Sequence, residues 1–161
     1  MYRLILTILI IQTLTFCWST PFTDAMQKAV ESGKKGKSTE TKQLLIDAIS
    51  KYKQNDSPTI LSEAYSSLGL IYISENLTDK ALESFEKAVK KNPKNSRAWF
   101  RMGLVYISKR SEMDKVEKAL RKTIQIDPSF LPAYRLLGDN YRVRQEHEKA
   151  ITIYRQAIKK K

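Results

Sequence analysis

At 161 residues the chain has room for one domain with an extended core. It is basic, with 29 Lys and Arg against 17 Asp and Glu, which favours acidic partners, anionic surfaces or nucleic acid as classes and says nothing about fold. A single cysteine and a single histidine exclude an internal disulfide and a metal site built from several thiolates or imidazoles.

Met1-Tyr2-Arg3 precedes an apolar run from Leu4 to Phe16 that is interrupted only by Thr7, Gln12, Thr13 and Thr15. A short basic start before such a run reads as a secretory signal peptide over residues 1–19, with Cys17 and Ser19 at the positions a peptidase inspects. The run falls short of the roughly 20 residues that span a bilayer. The expectation is therefore an exported, periplasmic or secreted protein. Leu14-Thr15-Phe16-Cys17 also resembles a bacterial lipoprotein cleavage box, although Phe16 stands where that box takes a small residue. Lipidation at Cys17, or a retained leader, are the two routes that would leave the protein attached to a membrane.

Residues 20–60 read as a helical hairpin, a degenerate repeat or a cap. Phe22, Ala25, Met26, Ala29 and Val30 share one helix face, and Leu44, Leu45, Ala48, Ile49 and Tyr52 share another. Between them Ser32-Gly33-Lys34-Lys35-Gly36-Lys37-Ser38 reads as an exposed basic loop. It has neither the spacing nor the preceding strand of a phosphate-binding loop. Gln54 to Pro58 is a turn cluster, its proline disfavouring helix at Ser57.

From residue 61 onward one pattern recurs. Leu68-Gly69-x-x-Tyr72 returns as Met102-Gly103-x-x-Tyr106 and as Leu137-Gly138-x-x-Tyr141, at offsets of 34 and then 35 residues. An aromatic residue precedes each glycine by four positions: Tyr65, Trp99, Tyr134. Later in each block come Ala81, Val116 and Ala150, then Phe85, Leu120 and Tyr154, then Ala88, Thr123 and Ala157. Asn92-Pro93 and Asp127-Pro128 close two of the blocks, because proline cannot continue a helix. The spacing predicts helix pairs over 62–75 and 78–91, 96–109 and 113–126, and 131–144 and 147–160. The additional residue of the second interval falls between Tyr106 and Asp114. Glycine inside a helix costs roughly 1 kcal/mol relative to alanine, so its recurrence implies close helix approach, expected opposite Ala81, Val116 and Ala150.

A fixed period of this length marks stacked repeats. These blocks resemble tetratricopeptide (TPR) repeats, in three units at 62–95, 96–130 and 131–161. The resemblance implies an all-α, right-handed α-solenoid of antiparallel helix pairs, here three full units and an N-terminal hairpin. It further implies a concave groove, lined by the first helix of each pair, that takes a peptide or helix of another protein. Some members clamp the C-terminal carboxylate of chaperones, but Ser66 and Leu70 stand at the corresponding places here and depart from that clamp.

Helix spacing then selects the residues of the first helices that are not used between helices. Leu70, Ile73, Phe100, Leu104 and Ile107 form an apolar strip, and Arg97, Arg135 and Arg142, with Asp139, flank it. Glu63, Ser66 and Pro132 share that face. The expected partner is a protein segment, apolar and acidic. Ile151, Ile153 and Ile158 on the last helix have no following repeat, which suits either inward packing or self-association through the C-terminal repeat. The competing reading is a basic surface for anionic lipid or nucleic acid, supported by Lys159-Lys160-Lys161; export argues against nucleic acid. No catalytic constellation is present. His147, between Glu146 and Glu148, reads as a solvated residue, and no cofactor is expected.

Overall fold

The structure, a computed structural model, describes residues 20–109 and 113–160. The leader expected at residues 1–19, with Cys17, lies outside them. Among the described residues there are eight helices and no strands: α1 Pro21–Lys34, α2 Ser38–Lys51, α3 Pro58–Ser74, α4 Thr78–Lys91, α5 Ser96–Lys109, α6 Met113–Ile126, α7 Leu131–Val143 and α8 His147–Ile158. The chain divides into two compact units between Ser57 and Pro58.

In the first unit Thr20 caps α1. Its hydroxyl accepts from the Thr23 amide at 3.2 Å, while Thr23 Oγ1 accepts from the Thr20 amide at 2.8 Å. Pro21 follows at the first helical position, where its missing N–H is not needed. Phe22, Ala25, Met26 and Ala29 are buried, as are Leu45 and Ala48 of α2, and the Phe22 and Tyr52 rings meet edge to face at 5.3 Å.

The loop expected over 32–38 is much shorter. Helix α1 continues through Lys34 and α2 begins at Ser38, leaving three residues between them. Ser32 is buried and accepts a hydrogen bond from Thr41 Oγ1 at 3.1 Å. Gly36 takes φ +71° and the Lys37 amide donates back to the Ser32 carbonyl at 3.2 Å, so the helix is closed by a left-handed cap. Glycine at position 36 marks a cap geometry and not a flexible linker.

The same turn occurs twice among the described residues of the second unit. Asn76 has φ 60° with Leu77 N–H donating to the Tyr72 carbonyl at 2.8 Å; Gln145 has φ 62° with Glu146 N–H donating to the Tyr141 carbonyl at 2.9 Å. Gly36, Asn76 and Gln145 each stand five residues before Thr41, Ala81 and Ala150. Ala29, Ser32, Thr41, Leu45 and Ala48 likewise lie 40 residues before Gly69, Tyr72, Ala81, Phe85 and Ala88. The first hairpin thus has the internal geometry of the repeats, with small residues where they carry glycine and tyrosine. Its offset is 40 because a longer connector separates Lys51 from the next repeat.

The second unit is three hairpins, α3–α4, α5–α6 and α7–α8, with α4 packed on α5 and α6 on α7. Helix α3 begins at Pro58, one turn before the expected start, since proline is suited to the first turn of a helix. The core holds Leu61, Leu68, Phe85, Met102, Tyr106, Val116, Leu120, Tyr134, Leu137 and Tyr141. Ile153 packs inward with them, whereas Ile151 and Ile158 remain exposed.

Each glycine of the repeat makes room for a different residue from the one expected. A Cβ on Gly69 would lie 2.5 Å from Phe85 Cε1, and one on Gly103 would lie 3.1 Å from Leu120 Cδ2. At Gly138 the colliding group is the Tyr154 ring. The close approach is thus to the large side chain one turn beyond Ala81, Val116 and Ala150. A ring or a branched side chain reaches across the helix pair, whereas an alanine methyl does not.

Junctions between hairpins repeat as well. Trp99 Nε1 donates to the Pro93 carbonyl at 3.0 Å, and Tyr134 OH donates to the Pro128 carbonyl at 3.0 Å. Asn92 and Asp127 accept the amides of Lys94 and Ser129, each at 3.0 Å, which forms the turn that the following proline requires. Between α3, α4 and α5 runs a buried chain: Asn95 Nδ2 donates to Ser62 Oγ at 2.9 Å, and Ser62 Oγ donates to the Ala88 carbonyl at 2.8 Å.

Candidate groove on the first helices

The first helices of the three hairpins, α3, α5 and α7, carry most of the residues that the spacing selected. Leu70 and Ile73 of α3 and Leu104 of α5 are large apolar side chains that are 43, 42 and 42% exposed. They line one cavity of about 300 Å³, with Phe85 and Val105 beneath them and Arg101 at its side. Leaving such side chains in water forgoes about 25 cal/mol for each Å² of apolar area, which a bound apolar group would recover.

Arg101 was not selected by the sequence reading. Nη1 donates to Ser66 Oγ at 2.6 Å, which also explains why Ser66 is fully buried and does not face the groove as expected. Burial disfavours the charged guanidinium; Glu63 opposes this and Arg97 adds to it, and the net shift is downward. The only signal in the sequence was an arginine at a position where the other two repeats have Ser67 and Leu136.

A second cavity of about 260 Å³ lies between α5 and α7. It is lined by Ile107, Met113, Leu136, Asp139, Asn140, Arg142 and Val143. It is the first cavity displaced by one repeat. Ile73, Thr78, Arg101, Leu104, Val105 and Ser108 correspond in order to Ile107, Met113, Leu136, Asp139, Asn140 and Val143. The geometry is thus repeated while the chemistry turns from apolar to mixed. Asn140 is buried, and its Oδ1 has no hydrogen-bond partner among the described residues; a buried acceptor left unpaired costs about 1–3 kcal/mol.

The cations are distributed less simply than a flanking row. Asp139 lies between Arg135 at 3.8 Å and Arg142 at 3.7 Å, and Tyr154 OH donates to Asp139 Oδ1 at 2.8 Å. Burial and this bond raise the Tyr154 phenol above its ordinary pKa. Two guanidiniums share one carboxylate, so the pair keeps a net positive charge. Arg97 is exposed at the start of α5. Phe100 is half-buried against the core, its ring tilted on Phe130 at a centroid distance of 4.8 Å, so it belongs partly to the packing. At the end of the last repeat Leu131, Pro132, Arg135, Ala157 and Ile158 surround an open depression of about 570 Å³, in which Ile158 is 74% exposed.

A second regularity had a sequence signal that went unread. Lys80, Lys115 and Lys149 each stand immediately before Ala81, Val116 and Ala150. Their ammonium groups lie over the rings of Tyr72, Tyr106 and Tyr141 at 5.9, 5.5 and 5.5 Å. Around Tyr141 this grows into a network. Tyr141 OH donates to Glu117 Oε1 at 2.6 Å, Arg121 donates to the Tyr141 oxygen at 2.6 Å, and Arg144 pairs with Glu117 at 3.0 Å. Burial pushes the Glu117 carboxyl upward, but the bonds from Tyr141 and Arg121 and the charges of Arg121 and Arg144 outweigh it and hold the pKa below its ordinary value. Much of the basic charge of the second helices is therefore engaged within the fold.

Among the described residues no cluster of three or more His, Cys, Asp or Glu side chains has the arrangement of a metal site. No described helix is long and apolar enough to cross a membrane.

Stacked helical hairpins with a repeating cavity between successive first helices define a helical-repeat scaffold. Residues 62–95 and 84–121 each match a family model described as the tetratricopeptide repeat, so the stretch 62–121 carries tetratricopeptide repeats. Solved structures of the same fold include MamA (23% identity, TM-score 0.74, covering 92% of this chain and 83% of that one). Another is YrrB, described as a TPR protein with an unusual peptide-binding site (19% identity, TM-score 0.68, covering 88% of this chain and 69% of that one). At such identities the likeness establishes the fold alone. Among curated proteins, the chain is 33% identical over 85 residues to the chloroplastic tetratricopeptide repeat domain-containing protein PYG7 of Arabidopsis thaliana, over 53% of this chain and 27% of that protein. It is 28% identical over 102 residues to Hsp70-Hsp90 organizing protein 3 of the same plant, over 63% of this chain and 18% of that protein. The chain thus spans about a quarter or less of the length of these relatives.

Proposed function

We propose that this protein is a non-catalytic scaffold that holds a segment of another protein along the first helices of its repeats. The observation that carries this reading is the pair of cavities one repeat apart, the first lined by exposed Leu70, Ile73 and Leu104. Large apolar side chains in a concave recess, with a few polar groups beside them, are the usual makings of a segment-binding site. The names of two neighbours point the same way: one organises Hsp70 and Hsp90, and one is described as having a peptide-binding site. The leader-like start over residues 1–19 supports action outside the cytoplasm, in envelope assembly or the tethering of a complex.

Selection of short linear peptides by the purified protein tests the reading. Leu70→Asp and Leu104→Asp replace exposed residues, so their melting temperatures should stay near wild type while binding of selected peptides is lost. Binding that survives both substitutions and instead weakens steeply with added salt would favour the anionic-surface alternative.

A further inference from the structure

The second cavity is lined by a buried polar group that the scaffold pairs only in part. Asn140 is 5% exposed, and its Nδ2 donates to Met113 Sδ at 3.2 Å. A thioether sulfur only accepts, so this contact fixes the orientation of the amide and leaves Oδ1 as an acceptor with no partner among the described residues. One repeat earlier the same place is filled by Val105, which is buried in the ordinary apolar way. Resting on the groove reading above, we propose that Asn140 Oδ1 receives a main-chain N–H of an extended partner segment. An apolar side chain of that segment enters between Ile107, Leu136 and Val143, and an adjacent acidic residue pairs with Arg142. An extended segment presents such an N–H along its whole length, whereas amides beyond the first turn of a helix are already bonded to its own carbonyls. The acidic neighbour follows from the charge balance. Arg135 and Arg142 share Asp139 at distances beyond hydrogen bonding, and Arg142 otherwise bonds only the neutral Tyr154 phenol, so among the described residues two guanidinium charges face one carboxylate.

The test uses the full chain and a phage-displayed library of short linear peptides, followed by the best synthetic peptide and a copy N-methylated at its apolar residue. The expected result is enrichment of an apolar residue beside an acidic one. Asn140→Val should weaken binding about tenfold while raising the melting temperature, because it removes a stranded acceptor along with a ligand contact. N-methylation should cost the wild type a similar factor and leave Asn140→Val unaffected. A merely structural asparagine, or one satisfied by a buried water, would change stability without changing affinity, and that outcome overturns the proposal. A peptide that depends on Leu104 but is indifferent to Asn140 and to N-methylation leaves the groove reading intact and overturns this one. If no peptide is bound, both fall. Should Asn140→Val fail to fold, the N-methylated peptide on the wild type decides alone.

Discussion

The ring of Phe85 occupies the space in which Gly69 would carry a side chain: a Cβ there would come to 2.5 Å from Phe85 Cε1. Phe85 is almost completely buried, so it can yield only by disturbing the packing around it. Gly69→Ala should therefore destabilise the protein by about 1–3 kcal/mol, against the gain of roughly 1 kcal/mol that alanine brings to an ordinary helix position. Gly103→Ala should cost less, because Leu120 stands at 3.1 Å and needs to give only a few tenths of an ångström. Gly138→Ala should fall between them, since the half-exposed Tyr154 can move outward by giving up Asp139. Urea denaturation of the three variants checks the order.

Ser62 and Asn95 join the first repeat to the second through a hydrogen-bonded chain that water does not reach. Ser62→Ala removes the bond to the Ala88 carbonyl and leaves Asn95 Nδ2 with only its 3.3 Å contact to Glu63. A loss of about 1–2 kcal/mol is expected. A double-mutant cycle with Asn95→Ala should show coupling, because each residue satisfies the other; simple additivity would mean the chain is not cooperative.

Glu117 makes stability depend on acid. Its folded pKa is below that of the unfolded chain, so the stabilisation is complete above the ordinary glutamate range and disappears as pH falls through the lowered folded value. Glu117→Gln should lower stability at neutral pH and flatten the decline between about pH 5 and 3. Denaturation midpoints across that range, compared with wild type, provide the check; parallel curves would assign the acid sensitivity elsewhere.

The lysines above the repeat tyrosines should contribute through their charge. Lys80→Met and Lys115→Met keep the apolar stem but remove the ammonium over Tyr72 and Tyr106, at an expected cost of about 0.5 kcal/mol each. Thermal melts at low and high salt should converge for variant and wild type only in part.

Much of the fold is legible in the sequence because a repeat states its rules several times. Gly69, Gly103 and Gly138 recur in register, Asn92-Pro93 and Asp127-Pro128 end helices by a local steric rule, and helical spacing alone places Leu70, Ile73 and Leu104 on one face. The first hairpin was harder to phase. Its glycine and tyrosine positions hold Ala29 and Ser32, and its longer connector shifts the offset to 40, so the match rests on the common left-handed turn at Gly36, Asn76 and Gln145 and on buried Leu45 and Ala48 in place of Phe85 and Ala88.

The sequence by itself determined what can be expressed as short-range preference: the helices, their ends, the period, and the division of each helix into buried and exposed faces. What only the tertiary structure decided are the meetings of side chains from different helices. That Phe85, and not Ala81, fills the gap at Gly69 depends on the reach of a ring across a helix pair. The contact of Arg101 with Ser66, the sharing of Asp139 by Arg135 and Arg142, and the stranded Oδ1 of Asn140 depend on distances of a few ångströms set by packing. Hydrogen bonds and ion pairs weaken steeply over such distances, and spacing along a chain does not encode them.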